Sequence, residues 1–394
     1  MILAQRPLQN RHQELFWEIY PKDNPTKKHY LFGSYQSNDR RIFDLPDSLF
    51  WAIKNSTVLL VERNFLHDMV DVDPRIKKTK LNFDQYGNPY SSNTQSSQTL
   101  FGNESGMPQF LDVFIWEMFR NKGKKTIELN QETLTEFWNS LRNYKKNIFL
   151  AFNKEYRQNQ LLELYLAKDI KQLDRFLKTY LSKKDSSYFD LVERRAINLT
   201  KSIHTSFDSG ETTLAVLGVQ YFGGANGIIA TLRRYGYVLR PIGWNYTENQ
   251  ASIKEEMLSS QQYPYQDTLS NLHVLFDGIP SIQYRLDESK KIQYKELGQG
   301  NSYEVEILKK DTTLSEEQIA SLHIQSPLNA TFKKSFLDDG TLYFEGISDS
   351  YPEGYSWVRI LFKDSHYAVC KAYGGNRFMN SQRPFSFFNG IWFE

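Results

Sequence analysis

Gly218-Val219-Gln220-Tyr221-Phe222-Gly223-Gly224-Ala225-Asn226-Gly227 decides how this chain is read. It lies between the apolar run Thr213–Leu217, which predicts a buried strand, and Ile228–Tyr235, which predicts the helix that follows. Glycines at a strand-to-helix turn let backbone amides approach a neighbour closely, and a helix start adds partial positive charge. His29–Phe32 followed by Gly33-Ser34-Tyr35-Gln36 repeats the same grammar near the start of the chain. Val58–Val61, closed by Glu62, reads as a third strand, and Val238–Ile242 as another. In open α/β sheets, ligands sit beyond the carboxyl ends of the strands. Gly33, Gln36, Glu62, Gly218, Tyr221 and Gly224 therefore form the candidate rim.

The order of these segments resembles the TraB/GumN family, which includes the TIKI metalloproteases and is related to the erythromycin-esterase-like proteins. The resemblance rests on Phe16-Trp17-Glu18-Ile19 with Tyr30-Leu31-Phe32-Gly33-Ser34-Tyr35-Gln36, and on Leu45-Pro46-Asp47-Ser48-Leu49 leading through Ala52-Ile53 to Thr57–Glu62. It continues in Tyr165-Leu166-Ala167-Lys168-Asp169-Ile170, similar to a Y-l-x-G-D-l helix, in Glu193-Arg194, similar to E-R-N, and in Leu217–Ile242. It covers about the first 245 residues. It implies an α/β fold with a mixed sheet flanked by helices, and a hydrolytic metal site formed by two G-x-x-H turns and a glutamate.

The departures fall on the polar set. Gln36 and Tyr221 stand where the family has its histidines, Asn130 where it has a second glutamate, and Arg195 where it has the asparagine of E-R-N. Glu62 and Arg194 remain, as candidate catalytic residues or as an ion pair, since a carboxylate at a partly buried rim needs a cation or donors beside it. A catalytic transition ion is held by several imidazole, carboxylate or thiolate ligands. A carboxamide and a phenol replace imidazole poorly, so neither a resident metal nor another cofactor is expected.

His67, five residues after Glu62, is the histidine placed to approach the same rim, and it is counted with the ligand-binding candidates. His204 reads as a helix-end imidazole. The chain has 7 histidines and one cysteine, and contains no H-E-x-x-H, C-x-x-C, G-x-S-x-G or G-x-x-x-x-G-K-[ST] motif. Cys370, in the alternating stretch Tyr367-Ala368-Val369-Cys370, reads as a small buried hydrophobe.

Over 394 residues, 48 basic and 46 acidic side chains leave a formal charge of +2, which gives no electrostatic reason to bind nucleic acid. Aromatic residues make up 15% of the chain, enough for a binding surface as well as a core. No run reaches the roughly 18 apolar residues of a membrane-spanning helix. Leu3-Ala4-Gln5 resembles the small-residue end of a cleaved signal peptide, giving an expectation of a periplasmic or secreted bacterial protein, with a cytoplasmic one as the alternative.

Residues 1–245 read as the α/β domain and 246–268, rich in Gln and Ser, as a linker. Residues 269–394 read as an α+β, mainly antiparallel β domain, faintly similar to the Mog1/PsbP sandwich. Residues 82–106 are polar and aperiodic and read as a long loop. The reading that follows is a non-catalytic homologue binding a protein or envelope component. A hydrolase with an altered site and a structural subunit of an envelope complex are the alternatives.

Overall fold

Three strands with little polar character set the centre of the N-terminal sheet. Val58–Val61 (β3) and His29–Ser34 (β2) are buried at every residue, and Thr213–Gly218 (β7) at all but its last. Strands covered on both faces belong in the middle of a sheet, and here they are neighbours. In the computed structural model the sheet order is β6-β3-β7-β2-β1-β8, with Phe16–Pro21 as β1, Lys125–Glu128 as β6 and Tyr237–Pro241 as β8. The pairs β6–β3, β3–β7 and β7–β2 are parallel, whereas β1 is antiparallel to both β2 and β8. The sheet is mixed and flanked by helices. The structure describes residues 14–62, 65–66, 82–83, 89–90, 106–129, 154–181, 186–244, 253–254, 257, 262–284, 289–325, 332–350 and 354–394.

The helices of this region are Asp47–Asn55 (α1), Leu111–Asn121 (α2), Lys154–Leu166 (α3), Ile170–Leu181 (α4), Ser186–Phe207 (α5) and Ile228–Arg234 (α6). A helix leaves its last carbonyls without internal partners, and these carry partial negative charge. At the end of α1 a single ammonium meets that need: Lys124 Nζ donates to the carbonyls of Ile53 at 2.7 Å, Lys54 at 2.6 Å and Ser56 at 2.9 Å. α3 ends differently, with Lys168 in the left-handed region at φ 59° and its Nζ 4.0 Å from the centre of the Trp244 ring.

The chain forms two compact units, one of residues 1–36, 41–64 and 114–259, the other of 37–40, 65–113 and 260–394. The second unit holds a seven-stranded antiparallel sheet, β11-β12-β13-β17-β16-β15-β14, and a three-stranded one, β18-β10-β9. In chain order these strands are Tyr263–Asp267 (β9), Leu272–Phe276 (β10), Ser281–Tyr284 (β11), Lys290–Glu296 (β12), Asn301–Lys309 (β13), Lys333–Phe336 (β14), Leu342–Ser350 (β15), Gly354–Lys363 (β16), His366–Tyr373 (β17) and Ile391–Phe393 (β18). β9 falls within the stretch that reads as linker from its composition. Of the 82–106 stretch, Asn82–Phe83 (β4) and Pro89–Tyr90 (β5) form a short antiparallel pair.

Glu316–His323 (α7) starts with a capping box, Ser315 Oγ accepting from Gln318 N at 3.2 Å and Gln318 Oε1 from Ser315 N at 2.8 Å. Its Ile319 and Ala320 join Phe344, Val358, Ile360, Phe362 and Val369 in one apolar cluster. Arg359 pairs with Glu345 at 2.6 Å and lies 4.6 Å from the Tyr343 ring centre and 5.1 Å from that of Phe388. Cys370 is fully buried, and burial pushes its thiol up to about 12. Around the β12–β13 turn, Gln109 Oε1 accepts from Leu297 N at 2.7 Å and Asn38 Nδ2 donates to Met107 O at 2.9 Å. A side chain at Gly298 would place its Cβ 2.4 Å from Pro108 O, so that position needs glycine for close approach, while Gly300 in the same turn adopts a left-handed φ of 72°.

Two stability measurements check these end-caps. Lys124→Met strips the donors from three carbonyls at once and is expected to cost about 1–3 kcal/mol in denaturant unfolding. A loss below a few tenths of a kcal/mol would show that the cap is not needed. At Lys168, glycine relieves the left-handed strain but removes the ring contact, each worth about 1 kcal/mol. Lys168→Gly is therefore expected to stay near wild type, while Lys168→Ala, which keeps the strain, loses about 1 kcal/mol. Equal losses in both variants would contradict this balance.

Candidate functional site

The sheet order brings the carboxyl ends of β2, β7 and β3 side by side. Ser34 is in register with Gly218 and Val61 with Val216, so the residues that follow these strands leave on one edge. Glu62 follows β3. Beyond β7 the chain tightens into a 3-10 turn, Val219–Tyr221, which aims Tyr221 at Glu62. The Tyr221 hydroxyl donates to Glu62 Oε1 at 3.1 Å.

The third member of the cluster comes from α5. Arg195 Nη2 is 2.9 Å from the same Glu62 Oε1, and the two side chains are only 12% and 14% exposed. The sequence suggested Arg194 as the partner of Glu62, and the structure places its neighbour Arg195 at this distance. Ala196, Leu199, Ile203 and Phe207 form the buried stripe of α5, whereas Arg194, Asn198, Lys201 and Thr205 line its exposed one. Helical spacing thus sends Arg194 to solvent and keeps Arg195 beside the inward face. The signal was present in the sequence as the 196–199–203–207 period.

A guanidinium and a phenol hydroxyl converging on one carboxylate oxygen give Glu62 a cation and a donor inside its own fold. At this degree of burial the pair gains from reduced screening, and removing one partner leaves the other charge uncompensated. Among the described residues, no three His, Cys, Asp or Glu side chains come together in a metal-ligand arrangement.

The other candidates are placed as follows. Gln36 is partly buried after β2, and its Nε2 is buried with no hydrogen-bond partner among the described residues. Gly33 is a close-packing position: an added Cβ would lie 3.1 Å from the Phe222 ring, and the Gly33 carbonyl accepts from Tyr165 OH at 2.9 Å. A Cβ at Gly218 would meet the Gln220 side chain. Gly224 adopts φ 83°, and a Cβ there would lie 2.7 Å from Lys178 Nζ, while one at Gly223 would lie 2.6 Å from Asp174 Cβ. Lys178 is itself paired with Asp174 at 2.8 Å, and Asn226 Nδ2 donates to Glu193 Oε2 at 3.1 Å. Gly223 thus has a packing reason, the close approach of α4, and Gly224 a conformational one, its left-handed φ.

His204 is drawn inward and is hydrogen-bonded through Nδ1 to Tyr237 OH at 2.9 Å. His67 and Asn130 lie outside the described residues.

Comparison with known proteins adds the following. Residues 68–241 match the model of the TraB/PrgY/gumN family, a span that includes α2 to α5, the glycine turn, Arg195 and Tyr221 but begins after Glu62. No curated protein matches the chain. Among solved structures, the solution structure of cyanobacterial PsbP (CyanoP) from Synechocystis sp. PCC 6803 is similar at 8% identity, covering 34% of this chain and 94% of that one, with a TM-score of 0.27. A likeness at that score carries no argument. Over residues 68–241, less than half of its length, the chain is similar to the TraB/PrgY/gumN family.

Proposed function

We propose that this protein is a non-catalytic TraB/PrgY/gumN-family member that binds or scaffolds a protein or envelope component in the bacterial cell envelope. The observation that carries the reading is the Arg195–Glu62 contact at 2.9 Å. A metal-dependent relative needs an anionic carboxylate free to meet a divalent cation. In this chain a fixed monovalent cation already sits against that carboxylate, and Tyr221 donates to the same oxygen.

The described residues do not fit a catalytic divalent ion. Arg195 would repel it, and the carboxamide of Gln36 and the phenol of Tyr221 are weak substitutes for imidazole. What the arrangement does well is hold three chain segments, the ends of β3 and β7 and the middle of α5, in a fixed relation. That suits a binding surface, where preorganisation raises affinity. No helix among the described residues is long and apolar enough to cross a membrane.

Metal analysis of protein purified without chelator is expected to give substoichiometric manganese, cobalt and zinc. A stoichiometric ion whose chelation abolishes hydrolysis would contradict the proposal. The converse experiment rebuilds the family's polar set. Gln36→His, Tyr221→His and Arg195→Asn combined are expected to raise affinity for a divalent transition ion by at least about tenfold in calorimetry, and unchanged affinity would show that Arg195 is not what keeps the ion out.

A further inference from the structure

We propose that His29 is an acid-operated latch on the C-terminal turn of α5: taking up a proton drives its ring from beneath Phe207 and lets that turn open. The latch belongs to the same α/β unit as the Glu62 cluster but lies at the opposite end of β2 from Gln36.

His29 begins β2 opposite Ile19 of β1, and none of its surface is exposed. Its ring lies face to face with that of Phe207, the last residue of α5, with 4.0 Å between centres and 11° between planes. Neither Nδ1 nor Nε2 has a hydrogen-bond partner among the described residues. A neutral imidazole always carries one N–H, and buried polar groups are nearly always partnered. An apolar ring would fill the same space without that penalty, so the imidazole here is poised for its second property, taking a proton.

The surroundings fix the sign of the response. An imidazolium would present two N–H donors where neither ring nitrogen has an acceptor among the described residues, and the face of Phe207 offers it less than the water it loses. The charged groups that bear on His29 are Lys27, which opposes protonation, and exposed Asp208, which favours it. From β8, Tyr237 packs edge-on against Phe207 at 5.5 Å, with its hydroxyl bonded to His204 and with Asp208 and Asp23 as its charged neighbours. Burial, the largest cause, lowers His29 from 6.5 to about 4. The closed form is therefore fully favoured above pH 6.5 and loses ground as pH falls toward 4, where the open form holds the extra proton.

The path outward is short. Phe207 touches Tyr237, Tyr237 bonds to His204, and His204 stacks on exposed Tyr235 at 4.7 Å. α5 also carries Arg195, about three turns before Phe207, so the latch acts on the helix that neutralises Glu62.

The test is amide hydrogen exchange of the full chain at Ser202–Phe207, corrected for the intrinsic effect of pH. The opening constant is expected to rise about 100-fold between pH 7 and pH 4. His29→Phe should abolish the rise, and His204→Gln should leave it intact. A pH response that survives His29→Phe, or that disappears in His204→Gln, overturns the proposal. Should His29→Phe fail to fold, the imidazole carbon resonance of His29 in the wild-type chain decides: a midpoint near 4 supports the latch and one near 6.5 overturns it. Neither outcome depends on metal content, so failure here leaves the functional proposal standing.

Discussion

One carboxylate oxygen joins three chain segments through two contacts in this fold. Glu62 Oε1 accepts the Tyr221 hydroxyl and faces the Arg195 guanidinium, so β3, the turn after β7, and α5 meet at a single point. Two charges this far from water are tolerable only when each answers the other. Losing Arg195 would leave the Glu62 carboxylate with the Tyr221 hydroxyl but without this opposite charge. The arginine therefore both fixes the geometry and removes the negative charge that a cation would seek.

The glycine turns take on a different meaning beside this contact. In isolation, Gly223 and Gly224 suggest an anion cradle at a helix start. Gly223 instead lies where Asp174 of α4 comes too close for a side chain, and Gly224 supplies the left-handed φ of 83° that the turn needs. Gly33 is likewise pressed by Phe222 and Val219. The turns at the strand ends are thus packed against neighbouring elements, while Glu62, Tyr221 and Arg195 are turned toward one another.

Much of this was legible in the sequence. The apolar runs of β3, β2 and β7 announced the sheet, because strands covered on both faces are mostly apolar, with His29, Ser34 and Thr213 the polar residues at their ends. The mainly antiparallel character of the C-terminal region was legible in its alternating runs. Other features were hidden. β9 is made of Tyr-Pro-Tyr-Gln-Asp and β12 contains Gln293, Lys295 and Glu296, all buried, so neither shows the apolar pattern of a strand. Their polar groups are satisfied by partners distant in sequence, such as Tyr373 OH for Gln293 and Arg383 for Glu296. The approach of Gly298 to Pro108 is a backbone contact and leaves no signature in residue type. Arg195 was recoverable, but only by weighting helical period over motif alignment.

The central claim is that Arg195 acts as the counter-ion of Glu62. A double-mutant cycle with Glu62→Gln and Arg195→Gln, followed by denaturant unfolding with and without a divalent-ion chelator, measures that coupling directly. The account predicts a coupling of about 1–3 kcal/mol that chelator does not change. A coupling near zero, or one that appears only when chelator has removed a bound ion, would contradict it.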